Sequence, residues 1–153
     1  MKFMLNGAVT VGTLDGANVE MHQVLGDENM FLFGLRAEEV ARLKETYDPQ
    51  LLYNRDPMLR RVVDQLRTGF SDGKTYEDLW RRLLYITDSP ADQYMLLADL
   101  PSYCEAQQRV SLAYGDRDRW NTMSLHNIAR SGIFAADRAV AQYADMIWHV
   151  PHK

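Results

Sequence analysis

The sequence predicts an α/β fold that is predominantly helical, with few parallel strands and many helices. Three observations carry this. Two short apolar runs, residues 8–11 and 29–34, are each followed by a segment with helical spacing. Strand, helix, strand, helix at that interval implies parallel pairing through right-handed crossovers. From Asp48 onward the apolar residues recur every three or four positions, the period of an amphipathic helix, and the breaks between them carry helix-start and helix-stop residues.

The chain opens with Lys2 on a short apolar lead-in. Asn6-Gly7 is a turn pair, since both residues tolerate positive φ. Ala8, Val9, Thr10 and Val11 are small or β-branched, as in a strand buried on both faces. Gly12 and Asp15-Gly16 punctuate its end, and Ala17 to Leu25 reads as a helix stopped by Gly26. Asn29 to Gly34 is the second strand. Ala37 to Thr46 follows as a helix, with Glu38 and Arg42 four apart. Two strands alone make a poor sheet, so the expectation is the end of a sheet whose other strands lie upstream.

Asp48-Pro49 opens a short helical piece through Tyr53, and Asp56-Pro57 is a cap followed by proline at the first helical position. Leu59, Val62, Val63 and Leu66 form a stripe that Gly69 ends. Residues 71–74 are a loop, and Thr75 to Asp78 has the form of a capping box leading into Leu79, Trp80, Leu83 and Leu84. Ser89-Pro90 breaks the pattern, and Tyr94 to Ala98 reads as a short extended piece. Asp99 then caps a helix from Leu100 to Tyr114 with Tyr103, Ala106, Val110 and Ala113 inward. Gly115-Asp116 ends it and starts the next, Arg117 to Arg130, with Trp120, Met123 and Ile128 as the apolar face and Gly132 as its stop. The last helix runs from about Ala136 to Trp148; Ala135 gives it no hydroxyl cap, so fraying or a late start is expected.

The 153 residues are 46% hydrophobic and 25% charged, enough apolar material for a core, and the net charge of −4 lacks the basic footprint of nucleic-acid binding. Cys104 is the single cysteine, which excludes an internal disulfide and suits a reducing, cytoplasmic setting. No apolar run approaches eighteen residues, so no membrane span is expected.

The stretch Lys2-Phe-Met-Leu-Asn-Gly-Ala-Val-Thr-Val-Gly-Thr-Leu-Asp-Gly-Ala-Asn-Val-Glu-Met21 resembles the glycogen (α-glucan) phosphorylases nearly word for word. The likeness continues through Asn29 to Gly34, Trp120 to Ser131 and Asp137 to Trp148. It covers the whole chain, while the chain covers only the tail of such an enzyme. The resemblance implies several things. The fold would be the C-terminal part of the cofactor-binding, Rossmann-like domain of a two-domain (GT-B type) glycosyltransferase, with the N-terminal domain and the start of this domain absent. Lys2 would form the Schiff base with pyridoxal phosphate, and burial would favour the free amine that attacks an aldehyde. The cofactor's 5′-phosphate would serve in proton transfer and charge stabilisation. Inorganic phosphate would cleave the terminal α-1,4 bond of glycogen or maltodextrin to glucose-1-phosphate. The enzyme would be a homo-oligomer. The family's glycine-rich phosphate-holding segment precedes this lysine and is not among these residues, so the 153 residues alone are expected to be inactive. The competing reading is a helical interaction module, or truncated remnant, that keeps the sequence without the reaction.

Other candidates have plainer explanations. Asp15 and Glu20 could pair for glycosidic acid–base work, but turn chemistry and a favourable charge in a helix's first turn account for both. His22, His126, His149 and His152 have no metal-ligand spacing with each other or with Cys104. Trp80, Trp120 and Trp148 read as packing residues. Ser124 and Ser131 lack a nucleophile elbow. No metal site and no catalytic side chain beyond the cofactor lysine is assigned.

Overall fold

The apolar lead-in is itself helical: Lys2–Leu5 forms one turn, α1. The structure, a computed structural model, describes residues 1–150. They divide into two units, Met1–Leu32 with the segment from Gln108 onward, and Phe33–Gln107.

In the first unit β1 (Val11–Gly12) and β2 (Phe31–Leu32) pair in parallel, with Val11 opposite Phe31 and Gly12 opposite Leu32. Between them runs α2 (Ala17–Leu25), stopped at Gly26 with φ +71. The pairing is parallel as expected, but each strand is far shorter than its apolar run. The Phe31 amide still donates to Thr10 (2.9 Å). With a single partner strand, nothing extends the ladder along the rest of either run. The expected strand-ending Gly12 therefore lies inside the pairing.

Two apolar clusters cover this small sheet. Met4, Met21, Leu25 and Met30 form one, with Val24, Leu32 and Phe134 against it. Phe31, Ala113 and Met123 form the other, with Val9, Val11, Val110 and Trp120. The helical residues of the second cluster come from the last turns of α7 (Leu96–Gly115) and from α8 (Arg117–Arg130). Asp116 caps α8 by accepting from the Arg119 amide (3.1 Å), as the Gly115-Asp116 pair predicts. Ile128, expected on the apolar face, is largely exposed, because Met123 and Asn127 take the buried face.

A 3-10 turn, Ser131–Phe134, follows α8 and takes up the expected stop at Gly132. Helix α9 (Ala136–Tyr143) starts on time despite its alanine cap, with no side chain bonding its first amides. It passes into a π turn, Ala144–Trp148, instead of continuing as α-helix. Trp120 packs as expected, whereas Trp148 is exposed beside Tyr143.

The second unit is helical: α3 (Ala37–Leu43), α4 (Pro49–Arg55), α5 (Pro57–Thr68), α6 (Glu77–Leu84) and the first part of α7. Asp48 and Asp56 each accept from two backbone amides ahead of a proline, and so start α4 and α5. Leu59, Val63, Leu84 and Leu97 form the core, with Leu52, Tyr53, Trp80, Leu83 and Leu100 packed on it. Fully burying one such side chain contributes about 2 kcal/mol. Val62 is exposed, so the stripe is narrower than expected.

Two expected caps are replaced. Helix α6 begins after Tyr76 with no side-chain cap, so the Thr75 capping box does not form. Residues 94–98 are not extended: α7 starts at Leu96, whose amide bonds Asp92 Oδ1 (2.9 Å) while that of Leu97 bonds Oδ2 (2.8 Å). Asp99 lies inside the first turn and accepts from the Leu35 amide instead (2.8 Å). Pro101 accounts for the misplacement. Proline is expected at a helix's first position, but here it sits five residues in, where it cannot donate to the Leu97 carbonyl. Asp92 is buried and also accepts the Tyr47 hydroxyl.

No helix of the described residues is long and apolar enough to cross a membrane.

Candidate functional site

The site is built from α1 and the turn after it. The amides of Leu5, Asn6 and Gly7 donate to the carbonyls of Met1, Phe3 and Met4 at 3.0–3.1 Å. The Asn6 side chain closes the turn by donating Nδ2 to the Lys2 carbonyl (2.9 Å). Gly7 sits at φ +77, a conformation that glycine reaches without strain and that ends the turn. One side of α1 is anchored, because Met4 is fully buried among Met21, Leu25 and Met30. Its other sides are open, and Phe3 and Lys2 are exposed.

The turn is also tied from far along the chain. Ser124 on α8 donates Oγ to the Gly7 carbonyl at 2.8 Å, across 117 positions. A Cβ on Gly7 would lie 2.4 Å from that Oγ and 3.2 Å from Ile128 Cδ1, so the close approach requires glycine. Gly12 is similarly constrained. It is buried, and a Cβ there would meet Asn18 Nδ2 at 2.7 Å. Asn18 uses that nitrogen to hold the Thr13 carbonyl (2.9 Å).

Lys2 offers an accessible amine, the one feature of an aldehyde-bearing cofactor's site found on α1. It is exposed, and among the described residues no carboxylate lies within ion-pair distance of it. The side chains packed on α1 and its turn are Met21, Leu25, Met30, Ser124 and Ile128, all neutral. They close off the back of the turn and present no phosphate cradle. The burial expected for this lysine is absent from these residues because only the Met4 side of α1 is packed.

Asp15 and Glu20 are both exposed, and the Asp15 carbonyl accepts from the Asn18 amide in the turn that starts α2. His22 bonds Asp27 at 2.7 Å. His149 Nδ1 lies 2.8 Å from the Asp145 carbonyl oxygen; His152 falls outside the described residues. Among the described residues no three His, Cys, Asp or Glu side chains converge as a metal site would need. A cleft of about 680 Å³ between residues 25–29 and α8 sets Arg119, His126 and Arg130 against Asp27 and Glu28, and its opposed charges favour no one ligand sign.

Sequence reasoning missed two residues that shape the site. Ser124 is one, since a contact spanning most of the chain leaves no local pattern. Asn127 is fully buried and donates Nδ2 to the carbonyls of Asn29 (3.0 Å) and Met123 (2.9 Å), holding the approach to β2. Its one available signal was a polar residue four positions after Met123 on an apolar face.

Comparison with known proteins agrees with the lysine-bearing stretch. Residues 1–150 match the family described as carbohydrate phosphorylase. The chain is 42% identical over 153 residues to glycogen phosphorylase of Chlamydia pneumoniae, covering 100% of this chain and 18% of that protein. It is 46% identical over 154 residues to the muscle form of glycogen phosphorylase from Bos taurus, and 44% identical over 154 residues to the liver form from Homo sapiens. Each of those alignments covers 98% of this chain and 18% of the relative. The chain thus spans about a fifth of the length of these relatives, and it belongs to the carbohydrate phosphorylase family.

Proposed function

We propose that this chain is part of the cofactor-holding half of an α-glucan phosphorylase, with Lys2 as the attachment point of pyridoxal phosphate. The whole enzyme would transfer the terminal glucosyl unit of glycogen or maltodextrin to inorganic phosphate. An oxygen of phosphate bonds to the anomeric carbon, the α-1,4 carbon–oxygen bond breaks, and the departing O4 takes a proton. The domain would be the C-terminal portion of one Rossmann-like domain of a two-domain glycosyltransferase. The enzyme would be cytoplasmic and homo-oligomeric.

The observation that carries this reading is the family match across residues 1–150, with the lysine-bearing stretch Lys2–Met21 at its start. When bound, the cofactor would supply a phosphate group for proton transfer and charge stabilisation beside the substrate. The chain's own residues do the holding. Lys2 offers the amine, Met4 roots the turn in the core, and Gly7 lets α8 approach its carbonyl. The 153 residues by themselves would not turn over maltodextrin, because positioned charges are needed to stabilise the transition state.

The test is a chimera in which this chain replaces the matching segment of the Chlamydia pneumoniae relative. Release of glucose-1-phosphate from maltodextrin and phosphate is expected, with complete loss in Lys2→Ala. Unchanged turnover in Lys2→Ala, or a folded chimera with no turnover, would contradict the reading.

A further inference from the structure

We infer that Ser124 is a positioning residue for the cofactor lysine: its hydroxyl sets the pose of α1 from the opposite end of the chain. The inference rests on the reading of Lys2 given above. Lys2 and Ser124 are separated by most of the sequence, yet one hydrogen bond lies between α8 and the turn that ends the lysine's helix. The turn has few other polar ties. Asn6 closes it internally, and Met4 anchors it through apolar contact alone.

Apolar burial is non-directional and leaves a methionine-rooted turn free to rotate. A hydrogen bond from a serine fixed on a helix is directional and removes that freedom. The fit around Gly7 points the same way. At 2.4 Å from a hypothetical Cβ, the serine oxygen occupies the space that any other residue at position 7 would fill. Glycine at 7 and a small hydroxyl residue at 124 therefore form a matched pair, with the Gly7 carbonyl turned toward α8.

Loss of the hydroxyl leaves the fold in place, because Met4 remains buried. It lowers the free energy of local opening at α1 by the amount of one ordinary hydrogen bond, which is roughly a fivefold change in the open population.

The experiment uses the phosphorylase-length chimera loaded with pyridoxal phosphate. The readouts are the rate at which hydroxylamine strips the bound cofactor and the pH midpoint of its absorption. Ser124→Ala is expected to speed stripping about fivefold. It should also shift the pH midpoint, because a less fixed pose changes the nitrogen's surroundings. Ser124→Thr keeps the hydroxyl and is expected to restore both. Ser102→Ala is the control: that hydroxyl, in the second unit, accepts from the Gly34 amide and donates to the Asp99 carbonyl. It should cost similar thermal stability and leave both readouts unchanged. Equal behaviour of Ser124→Ala and wild type, or equal acceleration in Ser102→Ala, overturns the role of Ser124 alone. Full reducible cofactor in Lys2→Ala overturns the reading of Lys2, and the inference with it.

Discussion

Each of the two units is stabilised internally by its own kind of polar contact. In the first, donors on late helices reach back to carbonyls of the early turns, of α2 and of β2. Ser124 bonds the carbonyl of Gly7, Asn127 that of Asn29, Arg130 that of Val24 and Arg109 that of Leu32. The separations run from 77 to 117 positions. In the second unit, carboxylates are the acceptors, some for groups close in sequence and Asp99 for the distant Leu35 amide. Asp48 and Asp56 cap the helices they precede, and Asp64 takes the Tyr53 hydroxyl (2.7 Å) and the Trp80 ring nitrogen (3.3 Å). The first arrangement fixes loop geometry from a distance; the second fixes where helices begin. The short turn of α1 gains from the first, since one turn has too few contacts of its own.

Substitutions at the polar anchors should separate these devices, beginning with the largest effect. Asp92 is a buried carboxylate of the second unit that collects partners from two directions. Asp92→Ala strands the Tyr47 hydroxyl and the amides of Leu96 and Leu97. It should destabilise the second unit by about 3 kcal/mol or more, measured by urea unfolding and by loss of amide protection through α7. Retained protection there would mean that the helix start is set by local sequence after all.

Asn127→Ala tests the first unit. It removes the donor to two carbonyls, and Asn127 Oδ1 has no partner in compensation. The expected loss is about 2 kcal/mol, with amide exchange rising around Asn29 to Leu32 and unchanged near α4 and α5. Equal change in both units would abolish the distinction drawn between them.

The smallest effect is a pH dependence confined to the second unit. Burial, and then the hydrogen bond to Asp92, push the Tyr47 hydroxyl well above its ordinary value near 10. A group held protonated in this way contributes stability that is complete below the unfolded value and lost as pH rises past it. The second unit should therefore weaken above about pH 10, by at most about 1.4 kcal/mol per pH unit, less because Tyr47 is only partly buried. Tyr53 is shifted the same way, first by its hydrogen bond to Asp64. Tyr47→Phe should flatten the slope between pH 10 and 11 in denaturant midpoints; an unaltered slope would remove Tyr47 as its source.

This contrast also explains what could be read from the sequence. The second unit's Asp-Pro starts and the Gly69 stop were legible because capping is local chemistry. Asp92 was not, since its acceptor role depends on Met95 and on Asp92 itself adopting positive φ, which non-glycine residues seldom do. In the first unit the order strand, helix, strand was legible from apolar runs, and the lysine-bearing stretch from its resemblance. The length of the strands was not, because ladder length depends on partner strands and not on the run itself. Nor was the hold on Gly7, since nothing near Ser124 in the sequence points to residue 7.

The central claim is that the first unit presents Lys2 as the one amine that takes the cofactor. Borohydride reduction of the loaded chimera, followed by peptide mapping, tests it most directly. One stoichiometric pyridoxyl adduct on Lys2, absent from Lys2→Ala, is the predicted result. A stoichiometric adduct on any other residue, with Lys2 unmodified, would contradict the account.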